Sequence, residues 1–271
     1  MTDPLPRTAA AISLRGIRKT FGAVEALDDV DLDVLPGEVV GLVGDNAAGK
    51  STLAKVMAGV LQPDAGTVEL DGRAVALSSP GAARALGIAT VFQDLALCEN
   101  LDVVQNLFLG QERRRPRVSS RWRQRTIGDL GAPLDEATME DEARRILVSL
   151  NSRIPSVRTP LAMLSAGQRQ TVAIARTLLG HPRVVVLDEP TASLSVAQTG
   201  EVLTHIEALR ELGHAVVLIS HNFGDVLAVA DRVEVLRHGR NNGSFPARAA
   251  SYEHIVAAVT GAVMRPRATV R

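Results

Sequence analysis

Hydrophobic residues are concentrated in short, dense runs that are separated by longer segments of mixed polarity. Five of these runs are rich in valine and isoleucine and show little alternation with polar residues: EVVGLVG, GIATVF, RVVVLDE, HAVVLIS and RVEVLR. Runs of this kind are typical of strands that are buried on both faces of a parallel sheet.

Helical segments are predicted between these strands because glycine and serine mark their boundaries. The predicted helices span residues 50–58, 166–179 and 196–212. Each is followed by glycine, which commonly ends a helix. Ser165 and Gln168 have the spacing of a capping box at the start of the second helix. Strands that alternate with helices predict an α/β fold.

The remaining segments follow other patterns. Residues 12–38 alternate over short distances, which predicts an antiparallel β patch beside the main sheet. Residues 94–165 contain no good strand and are predicted to be helical, with a polar interruption at 111–125. After Gly243, the stretch YEHIVAAVTG predicts one amphipathic helix. We find no internal repeat.

Composition narrows the possibilities without selecting one. The chain has 271 residues, 46% of them hydrophobic, which is enough for a substantial core. Its formal net charge is zero, so overall charge favours neither nucleic acid nor an anionic membrane as a partner. Cys98 is the single cysteine and excludes an intrachain disulfide. With no leader-like N-terminus and no long apolar stretch, a cytoplasmic protein is expected.

The stretch GDNAAGKST, residues 44–52, matches the phosphate-binding pattern G-x-x-x-x-G-K-[ST] between a strand and a helix. Gly44 and Gly49 let the backbone curl so that N–H groups point at phosphate oxygens. Lys50 supplies a positive charge, and Ser51 offers a hydroxyl ligand to Mg²⁺. The other residues of the predicted nucleotide-binding loop are Asp45, Asn46, Ala47, Ala48 and Thr52.

Two adjacent acids end the apolar run RVVVLDEP, residues 183–190. Burying carboxylates is unfavourable unless they face a polar site. Together with the phosphate loop, they predict that Asp188 orients Mg²⁺ and that Glu189 accepts a proton from the attacking water.

Further motifs follow the phosphate loop. Gln93 lies in VFQD, LSAGQRQTVAIARTLL precedes VVVLDEP, ASLS follows it, and His221 lies in ISHN. In this order they resemble the Q-loop, signature, D-loop and switch histidine of the ATP-binding subunits of ABC transporters. The resemblance covers residues 12 to about 245.

The resemblance implies the following organisation. It implies an α/β fold: a P-loop NTPase core with a parallel sheet, an N-terminal antiparallel β patch and an inserted α-helical subdomain. Residues 1–271 would form one ABC ATPase domain. The nucleotide-binding core would comprise 12–93 and 166–245, the helical subdomain 94–165 and the C-terminal tail 246–271.

The resemblance also implies a mechanism in which two copies enclose two ATP molecules and Mg²⁺. The phosphate loop of one subunit would face the signature residues of the other, which are Ser165, Ala166, Gly167 and Gln168. Gln93 and His221 would sense the γ-phosphate and act in catalysis with Lys50 and Glu189, and Gln93 would also be a metal ligand. Phe21 occupies the position of an aromatic residue that stacks on adenine.

Within the family, the chain resembles single-domain importers of monosaccharides of the ribose and fructose type. That subgroup implies a homodimer docked on integral membrane permease subunits, with a solute-binding protein as an indirect partner. The chain would then lie at the inner face of the cell membrane. Two alternatives remain: a nucleotide-gated binding module with little hydrolysis, and a soluble ABC ATPase acting on nucleic acid or ribosomes.

The sequence departs from the family pattern at three positions. Ala47 and Ala166 stand where the family usually has glycine, and Ser195 stands where it often has aspartate. If the loop needs a positive φ at Ala47, we expect a cost of about 1 kcal/mol, which weakens the site without disabling it.

An arginine-rich stretch, RRRPRVSSRWRQR, covers residues 113–125 and surrounds Trp122. Arginines with an aromatic residue can bind nucleic acid. Because arginine is abundant throughout the chain, we expect instead a solvated loop. The second interpretation is that this stretch contacts a permease or a membrane surface, and binding of nucleic acid is the least favoured interpretation.

Overall fold

The computed structural model describes residues 9–115 and 132–262. These residues form a six-stranded and a four-stranded β-sheet, with helices packed around them. The strands are β1 (Ile12–Phe21), β2 (Val24–Val34), β3 (Val39–Gly44), β4 (Ala65–Leu70), β5 (Arg73–Val75), β6 (Ile88–Val91), β7 (Val184–Asp188), β8 (Ala215–Ile219), β9 (Arg232–Arg237) and β10 (Arg240–Pro246).

The larger sheet has the order β10-β9-β3-β8-β7-β6. Its five strands β9, β3, β8, β7 and β6 are mutually parallel, and they are the five valine- and isoleucine-rich runs of the sequence. β10, which was not predicted, adds an antiparallel edge. The α/β fold class with a parallel sheet is therefore confirmed.

The parallel strands lack alternation because both of their faces are buried. In β7, Val185 and Leu187 belong to one hydrophobic core, and Val184 and Val186 belong to another. The first core lies between the sheet and the helices that include the signature helix, and the second lies between the two sheets. A strand covered on both sides has no reason to place polar residues at every second position.

The smaller sheet has the antiparallel order β2-β1-β4-β5. Its first two strands confirm the N-terminal antiparallel patch. Residues 65–75 extend this sheet by two strands, which the sequence did not indicate because most of their side chains are exposed or half-buried and form no apolar run.

Four helices were predicted individually, and each begins and ends within one residue of its prediction, whereas the short helices at 80–85 and 223–229 were not predicted. They are α1 (Lys50–Met57), α2 (Pro80–Ala85), α3 (Val103–Phe108), α4 (Glu136–Ser149), α5 (Ala166–Leu178), α6 (Val196–Glu211), α7 (Phe223–Val229) and α8 (Tyr252–Thr260). The capping box predicted at Ser165 and Gln168 is present. The predicted C-terminal helix is α8, which ends at Gly261 in the left-handed conformation.

The segment between β6 and α5 is helical where it is described. It contains α3, α4 and one 3-10 turn, Leu161–Met163, with no strand in residues 94–115 and 132–165. Within the described ranges, no helix combines the length and the apolarity needed to cross a membrane.

Candidate active site

Four neighbouring parallel strands bring the predicted catalytic residues to one edge of the larger sheet. In the order β3, β8, β7, β6, the carboxyl ends of the strands are followed by the phosphate loop, His221, Glu189 and Gln93. Asp188, the last residue of β7, pairs with Ile219 at the end of β8. Parallel strands collect such loops at their carboxyl edge, which is where open α/β sheets bind ligands.

The phosphate loop joins β3 to α1 and depends on both of its glycines. A side chain at Gly49, whose φ is +101°, would lie 2.6 Å from the carbonyl oxygen of Ala26. A side chain at Gly44 would collide with the backbone carbonyl of Leu236. The glycines therefore let the loop pack against neighbouring backbone.

The first turn of α1 is suited to an anion. It begins at Gly49 with no side chain capping its N–H groups, and it contains no acidic residue. The uncapped N–H groups and the positive end of the helix dipole attract phosphate. The loop ahead of it contains Ala47 with φ of +63°, so the condition set for a backbone cost at that position is met.

Lys50 is buried, with 8% of its surface exposed, and its ammonium lies against the loop. Its Nζ donates hydrogen bonds to the carbonyl oxygens of Gly44 at 2.8 Å and Asp45 at 2.9 Å. Burial lowers the pKa of Lys50, while the charges of Glu189 and Asp188 oppose that shift. The ammonium therefore lies where it can contact phosphates held by the loop.

Asp188 has the environment of a metal-binding carboxylate. Its Oδ1 is buried and has no hydrogen-bond partner among the described residues. Burial raises the pKa of Asp188, as does the neighbouring Glu189, and a hydrogen bond from Ser51 acts in the opposite direction. An unsatisfied carboxylate oxygen beside a serine hydroxyl fits Mg²⁺, which prefers oxygen ligands.

A Mg²⁺ ion at Asp188 and Ser51 would not need to be surrounded by protein ligands. Among the described residues there is no cluster of three or more His, Cys, Asp or Glu side chains arranged to hold a metal. Magnesium in nucleotide sites takes one or two carboxylates and completes its shell with water and phosphate oxygens.

Glu189 and His221 are in direct contact. Nδ1 of His221 lies 2.8 Å from Oε2 of Glu189, and the backbone N–H of Glu189 donates to the carbonyl of Ile219 at 2.9 Å. The Glu189 side chain is 16% exposed and the His221 side chain 67% exposed. Glu189 also has φ of +54°, a strained conformation for a residue with a side chain. A side chain held this way is fixed relative to the sheet edge.

Gln93 and Phe21 lie at the periphery of this group. Gln93 is exposed just beyond β6, beside the end of β7, and it forms no hydrogen bond to Ser51 or Asp188. Phe21 ends β1, is 47% exposed, and has the Nζ of Lys19 5.8 Å from its ring centre. Phe21 is thus partly accessible, as stacking on a base requires, although the Lys19 ammonium lies over its ring.

The signature residues form a separate unit at the start of α5. Ser165 Oγ accepts from the N–H of Gln168 at 3.2 Å, and Gln168 Oε1 accepts from the N–H of Ser165 at 3.0 Å. Gly167 is buried, and a side chain there would lie 3.0 Å from Gln198 of α6. Among the described residues, no hydrogen bond joins the segment Ser165–Gln168 to the phosphate loop.

Comparison with known proteins shows which family has this arrangement of motifs. The profile of the ABC transporter family matches residues 27–192. The chain is 40% identical over 260 residues to the fructose import ATP-binding protein FrcA of Rhizobium meliloti, covering 96% of this chain and 97% of the relative. The chain belongs to the ABC transporter family.

One further relative is a longer protein than this ABC chain. A putative ribose/galactose/methyl galactoside import ATP-binding protein of Burkholderia lata is 40% identical over 250 residues, which are 92% of this chain but 46% of the relative. A crystal structure of an ATP-binding cassette of an ABC transporter in its ADP conformation superposes with a TM-score of 0.76 at 26% identity. It covers 93% of this chain and 96% of the other. These matches confirm the predicted ATP-binding ABC ATPase and its fold.

The three departures of this chain from the family pattern have different structural consequences. Ala47 adopts a left-handed conformation, whereas Ala166 is the first residue of α5 and does not have a positive φ. Ser195 caps α6 by accepting from the N–H of Gln198, so it performs the capping role that an aspartate can also perform.

Sequence reasoning missed one contact beside the catalytic acids. The hydroxyl of Thr191 donates to Oδ2 of Asp225 at 2.7 Å. Thr191 is two residues after Glu189, and Asp225 is four residues after His221. The short spacing from two predicted catalytic residues was the available signal.

The arginine-rich stretch is described only at its start. Arg113 forms an ion pair with Glu142 at 3.2 Å, and Arg115 lies 4.0 Å from Asp135. Both pairs are at the surface, as expected for a solvated loop. Residues 116–125, including Trp122, lie outside the described residues, so the choice between a solvated loop and a binding segment stays a prediction.

Proposed function

We propose that this chain hydrolyses ATP to drive an ABC importer of a monosaccharide. The observation that supports hydrolysis most directly is the contact between Glu189 and His221 at the sheet edge that also presents the phosphate loop. Sugar import is supported by relatives named for fructose and for ribose, galactose and methyl galactoside. Because the sugars differ, the proposal is for the class and not for one sugar.

The catalytic roles proposed are supported by the contacts at this edge of the sheet. The Glu189 carboxylate accepts a proton from a water molecule that attacks the γ-phosphate. His221, in contact with that carboxylate, orients it and offers its other ring nitrogen to the transferring phosphate. Lys50 and the N–H groups of α1 stabilise the developing negative charge. Ser51, Asp188 and Gln93 would hold Mg²⁺, which would supply positive charge to the phosphates.

The functional unit proposed is a homodimer. The uncapped first turn of α1 and the turn at Ser165–Gln168 are separate in one chain, and a second copy in antiparallel orientation supplies the missing half. Phe21 stacks on the adenine. Integral membrane permease subunits and, indirectly, a solute-binding protein complete the assembly, which places this chain at the cytoplasmic face of the membrane.

The division of labour within the chain is also part of the proposal. Residues 12–93 and 166–245 form the nucleotide-binding core, residues 94–165 a helical subdomain, and residues 246–271 a C-terminal tail. The division is supported by the helices α3 and α4 between residues 94 and 165 and by the start of α5 at Ala166, while β10 runs one residue past 245.

Replacing Glu189 with glutamine tests the hydrolytic role. We expect Glu189→Gln to lower Mg-ATP turnover on the order of 10²–10⁴-fold, because the amide cannot accept the proton. Turnover of the wild type should rise more steeply than protein concentration, since two copies form each site. Glu211→Gln, the same change at an exposed position ending α6, should retain wild-type turnover.

The ATPase assay and a nucleic-acid binding assay together distinguish the two alternative functions. If wild type and Glu189→Gln are equally inert, even with permease-containing membranes, while both bind ATP, the nucleotide-gated binding module is the better description. If the chain binds RNA or DNA in a salt-sensitive manner, the soluble ATPase acting on nucleic acid gains support.

A further inference from the structure

The loops that follow β7 and β8 are joined by two side-chain hydrogen bonds. One is the contact between Glu189 and His221 at 2.8 Å, and the other is the hydrogen bond from Thr191 to Asp225 at 2.7 Å. Within the described residues, no other side-chain hydrogen bond connects residues 189–195 with residues 220–229. These two bonds therefore set how the loops lie relative to each other.

The two bonds differ in exposure. His221 is 67% exposed, so water competes for its contact with Glu189. Thr191 is buried and Asp225 is half-buried, so their hydrogen bond is shielded from water. Both contacts are made to a carboxylate, so the difference between them is burial, which strengthens a hydrogen bond. The Thr191 bond is therefore the more durable of the two.

Each partner of the buried bond is rigidly attached to one catalytic residue. Between Glu189 and Thr191 lies only Pro190, and a turn from Ala192 N–H to the Glu189 carbonyl at 3.2 Å closes this segment. On the other side, Asp225 lies in the first turn of α7, directly after the loop that contains His221.

The position of α7 is itself fixed by packing. Val226, the residue after Asp225, is buried and packs over the Cα of Gly41 in β3, where a side chain at Gly41 would collide with it. A shift of α7 that moved His221 would have to break this packing as well as the hydrogen bond. The packing of α7 therefore holds Asp225 in place, and the hydrogen bond from Thr191 to Asp225 holds the loop that follows β7.

We propose that Thr191 and Asp225 are positioning residues that keep His221 within reach of Glu189. The inference rests on the proposed function, because it assigns this pair to the same hydrolytic site. Neither side chain is proposed to touch ATP or the reacting atoms. Their hydrogen bond acts through Glu189 and His221, and it sets the fraction of molecules in which the two are correctly placed.

Thr191→Val tests this role because valine keeps the size and branching of threonine and removes only the hydroxyl. We expect kcat for Mg-ATP to fall on the order of 10- to 100-fold, because small misplacements of catalytic groups have effects of this size. KM should stay within about twofold, since the phosphate loop is untouched. Thr191→Ser, which keeps the hydroxyl, should restore most of kcat. Thr204→Val, on the exposed face of α6, is the matched control.

Hydrogen exchange provides a second readout that a purely structural role would not produce. In Thr191→Val, amide exchange in residues 220–225 should accelerate while the thermal midpoint stays near that of Thr204→Val. Wild-type kcat together with unchanged exchange would overturn the inference, as would a lowered midpoint with wild-type kcat.

Comparison with Glu189→Gln separates this inference from the proposed function. If Glu189→Gln is inert and Thr191→Val is as active as the wild type, the inference alone fails. If Glu189→Gln is as active as the wild type, the proposed function fails, and the positioning role fails with it.

Discussion

At the residue scale, the two alanines that replace family glycines occupy different backbone conformations. Ala47 has φ of +63°, which an L-residue adopts at a cost of about 1–2 kcal/mol, whereas Ala166 begins a helix, where alanine is favourable. The same chemical departure therefore strains one site and suits the other. The sequence predicted a backbone cost at Ala47 if its φ is positive, but the sign of φ is known only from the structure.

Glycine substitutions at these two positions should have opposite effects on stability. Ala47→Gly should raise the free energy of unfolding by up to about 1 kcal/mol, reduced by the greater freedom of glycine in the unfolded chain. Ala166→Gly should lower it by about 0.5–1 kcal/mol. Denaturant titration of both variants checks this, and shifts of the same sign would contradict the conformational account.

At the element scale, α5 and α6 begin with the same device. Each is preceded by a serine and has a glutamine three residues later, and both hydrogen bonds of the capping box are present in each. The two N-termini are adjacent, since Gly167 packs against Gln198. The first cap lies in the predicted signature and the second ends the predicted D-loop, so the pair compares the same cap in two different motifs.

Removing the two caps should have equal effects on stability and unequal effects on activity. Ser165→Ala and Ser195→Ala should each lower the free energy of unfolding by about 1 kcal/mol. Ser165→Ala should reduce kcat/KM for Mg-ATP more than Ser195→Ala does, because the helix that Ser165 caps is proposed to face the nucleotide of the partner subunit. Equal losses of kcat/KM in both variants would argue against a specific role for Ser165.

At the scale of the whole molecule, the buried His205 and the half-buried His214 join separate parts of the chain. His205 of α6 contacts the carbonyl of Leu150 at 2.6 Å and the hydroxyl of Thr171 at 2.9 Å, which links the end of α4 to α5. His214 contacts the carbonyl of Pro182 at 2.7 Å. Burial lowers the pKa of both imidazoles, although the hydrogen bonds to carbonyls act in the opposite direction.

These histidines predict a loss of stability in mild acid. Because their pKa values are lower in the folded than in the unfolded chain, the unfolded chain binds more protons below pH about 6.5. The free energy of unfolding should then fall as pH decreases, by up to about 1.4 kcal/mol per pH unit for each histidine. Denaturant titrations at pH 7.5 and 5.5 measure the slope. His214→Gln should reduce it, and an unchanged slope would assign the acid sensitivity to other groups.

Elements with local signals could be predicted from the amino-acid sequence alone. The five parallel strands, the phosphate loop and the helix starting at Lys50 are encoded by apolar runs and by glycines whose need is steric. The capping box at Ser165 and the acids ending β7 are also local. Motif order was sufficient to identify the family.

Contacts between residues far apart in the chain depend on the tertiary fold and could not be predicted from the sequence. Strand order brings His221 to Glu189 and Thr191 to Asp225, pairs separated by more than thirty residues that no local pattern couples. β4 forms because β1 offers it an edge, and β5 then pairs with β4, although the sequences of both strands are weakly apolar. Backbone strain at Ala47 and Glu189 likewise arises from the surrounding fold, because a single residue type does not reveal its φ.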